Sequence, residues 1–228
     1  MAIKIQKTAN IEDNGVKCVV YGGAGVGKTR LCATAPKPII ISAESGLLSL
    51  KDVDCDFIEI KKLRDLDEAY RYLKDSNDYE TICVDSLSEI CEVVLEELKP
   101  NHKDKRQAYG EMADAILPML KRFRDIKGKH VIFTSKMINV QDEDTLKVTQ
   151  ELFIPGKVLS NQIPYLVDEL FYLNMDRKGT QQMNTAPDRS AFAKDRSGAL
   201  KAVEKPKDGN TEINMTDIIN LIKKKTGV

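Results

Sequence analysis

The sequence lacks an excess of charge of either sign, because its 228 residues include 35 lysines and arginines against 35 aspartates and glutamates. A basic surface over the whole chain is thereby excluded, so any contact with nucleic acid has to come from local basic segments. The five cysteines are odd in number and form no C-x-x-C pair. This argues against a disulfide framework or a zinc site and indicates a reducing compartment.

Long apolar runs are missing as well. No run approaches the roughly 18 residues that a membrane-spanning helix requires, and no signal peptide is recognisable. We therefore expect a cytoplasmic protein without membrane contact. Hydrophobic residues make up 42% of the sequence, which is enough for the core of one α/β domain with a small appendage.

A glycine-rich segment of the form G-x-x-x-x-G-K-[ST] is the most informative feature that the sequence does contain. The apolar run 16–21 before it predicts a buried strand, and residues 28–35 predict one or two helical turns that end at Pro36. This context favours a phosphate-binding loop over a glycine turn without a ligand, because glycines let backbone N–H groups surround an anion. The predicted nucleotide-binding residues are Gly22, Gly23, Ala24, Gly25, Val26, Gly27, Lys28, Thr29 and Arg30.

Three side chains are candidates for the metal and phosphate chemistry. Lys28 can reach the β- and γ-phosphates of a nucleotide, and the hydroxyl of Thr29 can ligate Mg²⁺. Asp85 ends the strand predicted over residues 80–85, which we expect beside the strand that precedes the glycine loop. An acid there would hold the water shell of the same ion, although Asp85 could also cap the next helix. Thr29 and Asp85 are therefore the predicted metal ligands.

A further acid, Glu44, follows the apolar strand predicted over residues 39–42. A carboxylate at the end of that strand could orient or deprotonate the water that attacks the γ-phosphate. The alternative is a surface glutamate at the start of a helix.

The order of the predicted elements indicates the fold class. Up to residue 135, strands alternate with helices, as in a parallel sheet covered on both faces. One of these helices, over residues 107–126, is expected to kink or break at Pro118. Later strands with few helical residues between them predict an antiparallel extension, and they span residues 146–154, 168–175, 181–185 and 190–194.

These elements suggest two parts of the chain. Residues 1–204, with an edge strand over 2–8, would form an α/β core, and residues 205–228 would form a linker and a helix packed on the core. The fold class is then a mostly parallel sheet flanked by helices, with a C-terminal antiparallel extension.

Four segments resemble, in the same order, the RecA-like recombinase ATPases. They are the glycine loop, I-I-S-A-E at 40–44, I-C-V-D-S at 82–86 and F-A-K-D-R at 192–196. The phosphate loop, short first helix, E-S-G turn and A-K-D-R are similar to those of the Sak-type single-strand annealing proteins of phages. Those proteins are also known as phage AAA-family ATP-binding proteins. The resemblance covers roughly residues 16–200 and implies a RecA-like P-loop NTPase core.

The same resemblance implies a DNA-stimulated ATPase with ATP and Mg²⁺ as its cofactors. Its catalytic residues would be Lys28, Glu44, Asp85, Lys194 and Arg196. The last two would reach into the ATP site of a neighbouring copy in a ring or filament, and neither has an obvious acidic partner in the sequence. RecA-like proteins sense the γ-phosphate with a glutamine, and the matching position here is Lys136.

Two segments lie where RecA-like proteins place their DNA-binding loops. The second, over residues 137–147, is acidic, whereas the first, over residues 99–106, is basic. Basic groups there could neutralise backbone phosphates, and the alternative is a solvated connection between helices. The DNA-binding candidates are Lys99, His102, Lys103, Lys105 and Arg106.

We therefore predict an ATP-hydrolysing homo-oligomer that binds single-stranded DNA and promotes annealing or strand pairing in recombination, in the host cytoplasm if a phage encodes it. A single-stranded-DNA-binding protein is a candidate partner. The alternative is a phage ATPase that acts as a loader or regulatory partner of replication and recombination proteins without binding DNA. A kinase is disfavoured because no arginine-bearing lid is evident, and a GTPase because the sequence has no N-K-x-D motif.

Overall fold

The fold is known from a computed structural model, which describes residues 14–44, 47–188 and 190–227. The strands are β1 (Lys17–Tyr21), β2 (Pro38–Ser42), β3 (Asp56–Glu59), β4 (Thr81–Asp85), β5 (His130–Gln141), β6 (Val148–Phe153), β7 (Glu169–Met175), β8 (Gln181–Asn184), β9 (Lys194–Asp195) and β10 (Val203–Glu204). The helices are α1 (Lys28–Ala33), α2 (Leu63–Leu73), α3 (Leu87–Leu98), α4 (Lys105–Arg124), α5 (Lys157–Leu166) and α6 (Met215–Thr226). None of these helices is both long and apolar enough to cross a membrane.

One mixed sheet carries the site, in the strand order β10-β8-β7-β1-β5-β4-β2-β3, with β6 paired to β5 and β9 paired to β7. The six strands from β7 to β3 in that order are parallel, and β6, β8, β9 and β10 pair antiparallel with their neighbours. The predicted α/β fold, mostly parallel with an antiparallel C-terminal extension, is confirmed. We expected β4, the strand that ends at Asp85, to lie beside β1. In the structure, β5 lies between β1 and β4.

Alternating side chains of β1 divide the core into two layers. Val19 and Tyr21 pack with the apolar faces of α2, α3, α4 and α5, whereas Cys18 and Val20 pack with α1 and α6. Every residue of β1 and β4 is buried, which explains why the apolar residues within these strands follow one another rather than alternate with polar ones. On the second face, α6 is also tied to the end of α1, where the backbone N–H of Met215 donates to the Thr34 hydroxyl at 2.7 Å.

Two predicted elements differ from the structure in their extent. The helix α4 continues through Pro118 without a break; its buried face, including Met112, Ile116 and Phe123, holds it against the core on both sides of the proline. The strand β5 extends to Gln141, so the segment predicted as the second DNA-binding loop is mainly an antiparallel hairpin with β6. Its β-branched residues, among them Ile138 and Val140, favour a strand.

The chain near residue 190 forms less regular sheet than predicted. Lys194 and Asp195 alone pair with β7, and Ala191 makes a single bridge to Gln150 of β6. The helix predicted within residues 155–164 is α5. The predicted edge strand over residues 2–8 and the turn at 45–46 lie outside the described residues.

Candidate nucleotide-binding site

A cleft of about 880 Å³ lies at the carboxyl ends of the parallel strands. Its walls come from the glycine loop after β1, from α1, and from residues at the carboxyl ends of β2 and β4 and just beyond the parallel part of β5. All of the nine predicted loop residues except Val26 line it, together with Glu44 after β2, Asp85 of β4 and Lys136 of β5. The volume is in the range of small-molecule sites.

The glycines of the loop are required by contacts and by backbone conformation. A Cβ at Gly22 would lie 2.3 Å from the carbonyl oxygen of Leu173 in β7, which is far closer than atoms can approach. Gly27 has a φ of +90°, and a Cβ there would lie 2.4 Å from Nε2 of Gln181. Gly25 has a φ of +75°, in the left-handed region that other residues rarely adopt. These three positions therefore keep the loop narrow and close to the sheet.

Lys28 lies at the mouth of the loop. Its Nζ donates hydrogen bonds to the carbonyl oxygens of Gly22 at 2.9 Å and Gly23 at 2.8 Å. Burial lowers the pKa of Lys28, and the nearby carboxylates of Asp85 and Glu44 oppose that shift. The ammonium group is thus held by neutral acceptors next to the space where an anion would lie.

Asp85 is held by two hydroxyl groups. The residue is 2% exposed, and Oδ2 accepts a hydrogen bond from Oγ1 of Thr29 at 2.6 Å. The hydroxyl of Thr134 on β5 donates to Oδ1. The alternative role as a helix cap belongs to Ser86, whose Oγ accepts from the backbone N–H of Glu89 at 3.3 Å. Asp85 and Thr29, the predicted metal ligands, therefore lie next to each other.

Glu44 extends from the end of β2 and lines the same cleft with an exposed side chain. Partial burial raises its pKa, and the charges of Asp85 and Glu89 add to this effect. The raised pKa makes the ionised carboxylate a stronger base than an isolated glutamate.

Lys136 also lines the cleft but is paired with α3. Its Nζ lies 2.5 Å from Oε1 of Glu89 and 3.1 Å from Oε1 of Glu92. The lysine therefore connects the start of the β5–β6 hairpin to α3. Arg30, the last predicted loop residue, lies 2.9 Å from Asp52 and 3.4 Å from Glu212, so protein carboxylates hold its guanidinium at the edge of the cleft.

Lys194 and Arg196 do not line the cleft of their own chain. Nζ of Lys194 donates to the carbonyl oxygens of Pro164 and Val167, each at 2.6 Å. The expectation that neither base has an acidic partner is wrong, since Arg196 lies 3.3 Å from Asp168. The pairing of β9 with the start of β7 brings Asp168, the residue before β7, next to Arg196. The two residues are distant in the sequence, so the sequence alone did not indicate this contact.

The basic segment 99–106 is a short 3-10 turn followed by the first turn of α4. Two of its bases are paired, His102 with Glu111 at 2.5 Å and Arg106 with Asp104 at 2.9 Å. Lys103 and Lys105 are exposed and have no ion-pair partner within the described ranges. Lys99 is half-buried in the 3-10 turn.

A comparison with protein-family models gives a match over residues 14–197 to the family described as an AAA domain. That match spans most of the chain. This protein belongs to the AAA-domain family. No curated protein matches the sequence at a significant level. A solved structure, the crystal structure of the RadB recombinase, is similar over 75% of this chain and 80% of that chain, with 15% sequence identity and a TM-score of 0.45; similarity at this level is uninformative about activity.

As a P-loop protein of the AAA-domain family, the chain has residues that fit ATP and Mg²⁺. The narrow glycine loop and Lys28 suit a triphosphate, and the hydroxyl of Thr29 beside the buried Asp85 supplies the hard oxygen ligands that Mg²⁺ prefers. The described residues include no group of three or more His, Cys, Asp or Glu side chains placed around a common metal position. A site that uses one carboxylate, one hydroxyl, phosphate oxygens and water needs no such group.

Sequence reasoning missed Gln181, which connects the loop of this AAA domain to the C-terminal segment. Its Nε2 donates to the carbonyl oxygen of Val26 at 2.8 Å, and its Oε1 accepts from the backbone N–H of Ile213 at 2.7 Å. No motif marks this glutamine. Thr134 was also missed, although a polar residue at the end of an apolar strand was a signal for it.

Proposed function

We propose that this AAA-domain protein is a RecA-like ATPase that hydrolyses ATP at a site shared between neighbouring copies and binds single-stranded DNA to promote annealing or strand pairing. The observation that carries the proposal is the convergence of Lys28, the Thr29–Asp85 pair and Glu44 in one cleft. The four segments that resemble RecA-like proteins supply the remaining support.

The chain's own residues account for binding and for proton transfer. Lys28 exchanges the carbonyl oxygens of Gly22 and Gly23 for phosphate oxygens, so its charge meets the transferring phosphoryl group. Thr29 and Asp85 would hold the metal ion, which would neutralise charge on that group. Thr134 fixes the Asp85 carboxylate from the side of β5.

Glu44 is the proposed general base. It lies in the cleft and accepts a proton from the attacking water in its ionised form. Its carboxylate is exposed, whereas Asp85 is buried and engaged with two hydroxyls. Glu44 and Asp85 are thereby suited to different roles.

Lys194 and Arg196 are proposed to act on the neighbouring copy. Neither lines its own cleft, and their contacts to the end of α5 and to Asp168 fix them at the surface, where the Arg196 side chain is 53% exposed. Cations that reach a neighbour's γ-phosphate act as arginine fingers do in trans. A head-to-tail assembly, closed as a ring or continued as a filament, follows from such an interface.

Single-stranded DNA is the proposed ligand of the segment 99–106. Lys103 and Lys105 present exposed charges without ion-pair partners among the described residues, and the half-exposed ring of Tyr109 lies one turn further along α4. Lysines of this kind neutralise backbone phosphates, and an aromatic ring stacks on a base.

The test is binding of labelled single-stranded DNA, with and without a non-hydrolysable ATP analogue, at two salt concentrations. We expect affinity to fall as salt rises, because counterions are released on binding. The double variant Lys103→Ala/Lys105→Ala should bind more weakly and with a smaller salt dependence. The matched control is Lys224→Ala/Lys225→Ala at the exposed end of α6. Equal losses in both double variants, or no binding by the parent, would contradict the DNA assignment.

One observation favours the alternative of a loader or regulatory ATPase that does not bind DNA. The tip of the β5–β6 hairpin carries Asp142, Glu143 and Asp144, which repel phosphate, and the hairpin exposes Ile138, Val140, Leu146 and Val148. Exposed apolar side chains of this kind suit a protein partner. ATP hydrolysis without any DNA binding would support this alternative.

A further inference from the structure

Glu169 is a buried acid that the proposed reaction does not use. It is the first residue of β7, at the opposite end of the parallel strands from the nucleotide cleft, and it is 2% exposed. It lies against a second cavity of about 290 Å³, which is also lined by Asp168 and Arg196. An acid in this environment needs a partner or a proton.

The partner of Glu169 is Asp195. The antiparallel pairing of β7 with β9 sets these two residues opposite each other. Oδ1 of Asp195 accepts from the Ser197 hydroxyl at 2.5 Å and from the Gly198 N–H at 3.0 Å, and Oδ2 accepts from the Leu200 N–H at 2.9 Å. Asp195 therefore takes nearly all of the local donors.

Glu169 accepts a hydrogen bond from one donor among the described residues. Its Oε1 accepts from the Ser197 N–H at 3.2 Å, and its Oε2 has no hydrogen-bond partner within residues 14–44, 47–188 and 190–227. A proton on Oε2 would make it a donor toward Asp195. With this proton, the pair carries a single negative charge, which the hydrogen-bond donors around Asp195 stabilise.

Charged groups surround the pair on every side. Asp195 faces Glu169 from β9, where Lys194 is the adjacent residue; Asp168 precedes Glu169, and Cys18 lies opposite it on β1. The cavity beside it is lined by Lys17, Arg196 and Lys223. Burial, followed by the charge of Asp195, raises the pKa of Glu169 to about 8. Burial acts in the same direction on Asp195, but hydrogen bonds from its neighbours hold the pKa of Asp195 below its ordinary value.

We infer that Glu169 is a positioning residue: a proton shared between the Glu169 and Asp195 carboxyl groups holds β9 against β7 and thereby fixes Lys194 and Arg196. Loss of that proton places two carboxylates opposite each other in the same pair of strands. Because β9 has two residues, repulsion at one of its two paired positions is enough to detach it. Lys194 then loses the carbonyl oxygens of Pro164 and Val167, and Arg196 loses Asp168.

The direction of the pH effect follows from the raised pKa. Detached Glu169 titrates near the ordinary glutamate value, and paired Glu169 titrates near 8. Attachment of β9 is therefore strongest at acid pH, weakens as pH rises toward 8, and changes little above that value. Between these limits, opening of β9 should increase by up to about tenfold per pH unit.

The first test measures hydrogen exchange at the amides of Ser197, Gly198 and Leu200 between pH 6 and 9, corrected for intrinsic exchange rates. In the parent, protection should fall with pH up to about 8 and then level off. In Glu169→Gln, which keeps a neutral hydrogen-bonding group, protection should stay constant. Glu151→Gln, at an exposed position of β6, should behave as the parent. Equal pH dependence in the parent and Glu169→Gln would overturn the inference.

The second test concerns turnover and rests on the proposed function of Lys194 and Arg196. The ratio of Glu169→Gln turnover to parent turnover should rise between pH 6 and 8, because the variant keeps both bases in place. If hydrogen exchange shows β9 open in a large fraction of molecules at pH 8, a constant ratio would overturn the shared ATP site and leave the proton-dependent attachment of β9 established. A parent without pH-dependent protection would overturn the attachment, whatever the turnover.

Discussion

At the scale of single residues, the site separates two acids by their surroundings. Asp85 is buried against Thr29 and Thr134, whereas Glu44 is exposed in the cleft. In Asp85→Asn the side chain keeps its shape and can still bond both hydroxyls, because a hydroxyl accepts as well as donates. We expect the Mg²⁺ concentration for half-maximal ATP turnover to rise and the melting temperature to change little. A lowered melting temperature with unchanged Mg²⁺ dependence would show that Asp85 is structural.

Glu44→Gln removes the proposed base and keeps the size of the side chain. ATP should still bind, and turnover should fall by roughly 10²-fold or more. Because the pKa of Glu44 is raised, parent turnover should decline toward acid at a higher pH than an ordinary glutamate would give, and that limb should vanish in the variant. The exposed Glu68→Gln on α2 serves as the control. Parent-like hydrolysis by Glu44→Gln would make Glu44 a surface residue.

The sequence alone could point to candidate site residues whose positions depend on the order of residues along a strand and the loop after it. The glycine loop, Asp85 and Glu44 each directly follow or end an apolar strand, and parallel strands bring such positions to one edge. Gln181 and Glu169 carried no such signal, since their partners lie at distant positions along the chain or across a strand pair that forms only in the folded sheet.

At the scale of elements, a buried serine joins α3 to the β5–β6 hairpin. Oγ of Ser88 donates to the carbonyl oxygen of Phe153 at 2.6 Å and accepts from the backbone N–H of Lys136 at 3.0 Å. Ser88→Ala leaves that buried N–H without this acceptor, so we expect the free energy of unfolding to fall by about 1–3 kcal/mol. The measurement is denaturant unfolding, with the exposed Ser49→Ala as the control. Equal stability of both variants would contradict this role.

Helices and strands were predictable where periodicity was strong, and their limits were less so. The hairpin was missed because Ile138 and Val140 continue β5 beyond the sheet, where pairing with β6 rather than burial maintains the strand. The helix α4 continues through Pro118 because tertiary packing outweighs the loss of one backbone hydrogen bond. Both corrections come from contacts between elements, which local sequence does not encode.

At the scale of the whole molecule, the two sets of functional side chains lie apart. Lys28, Glu44 and Asp85 line the cleft, whereas Lys194 and Arg196 lie on β9 or directly after it and are held by the end of α5 and by Asp168. Under the proposed function, a single copy would be an incomplete ATPase. Completion by a second copy is what the sequence predicted from the A-K-D-R segment, and it remains a prediction about assembly.

Mixing two inactive variants tests this account most directly. Lys194→Ala/Arg196→Ala should bind ATP and turn over little of it, and so should Glu44→Gln. In an equal mixture, roughly a quarter of the head-to-tail interfaces would combine an intact Glu44 with intact Lys194 and Arg196. The account predicts that ATP turnover returns on mixing and that the active species is an oligomer. Two variants that each bind ATP, remain inactive when mixed and stay monomeric with ATP and DNA present would contradict the shared site.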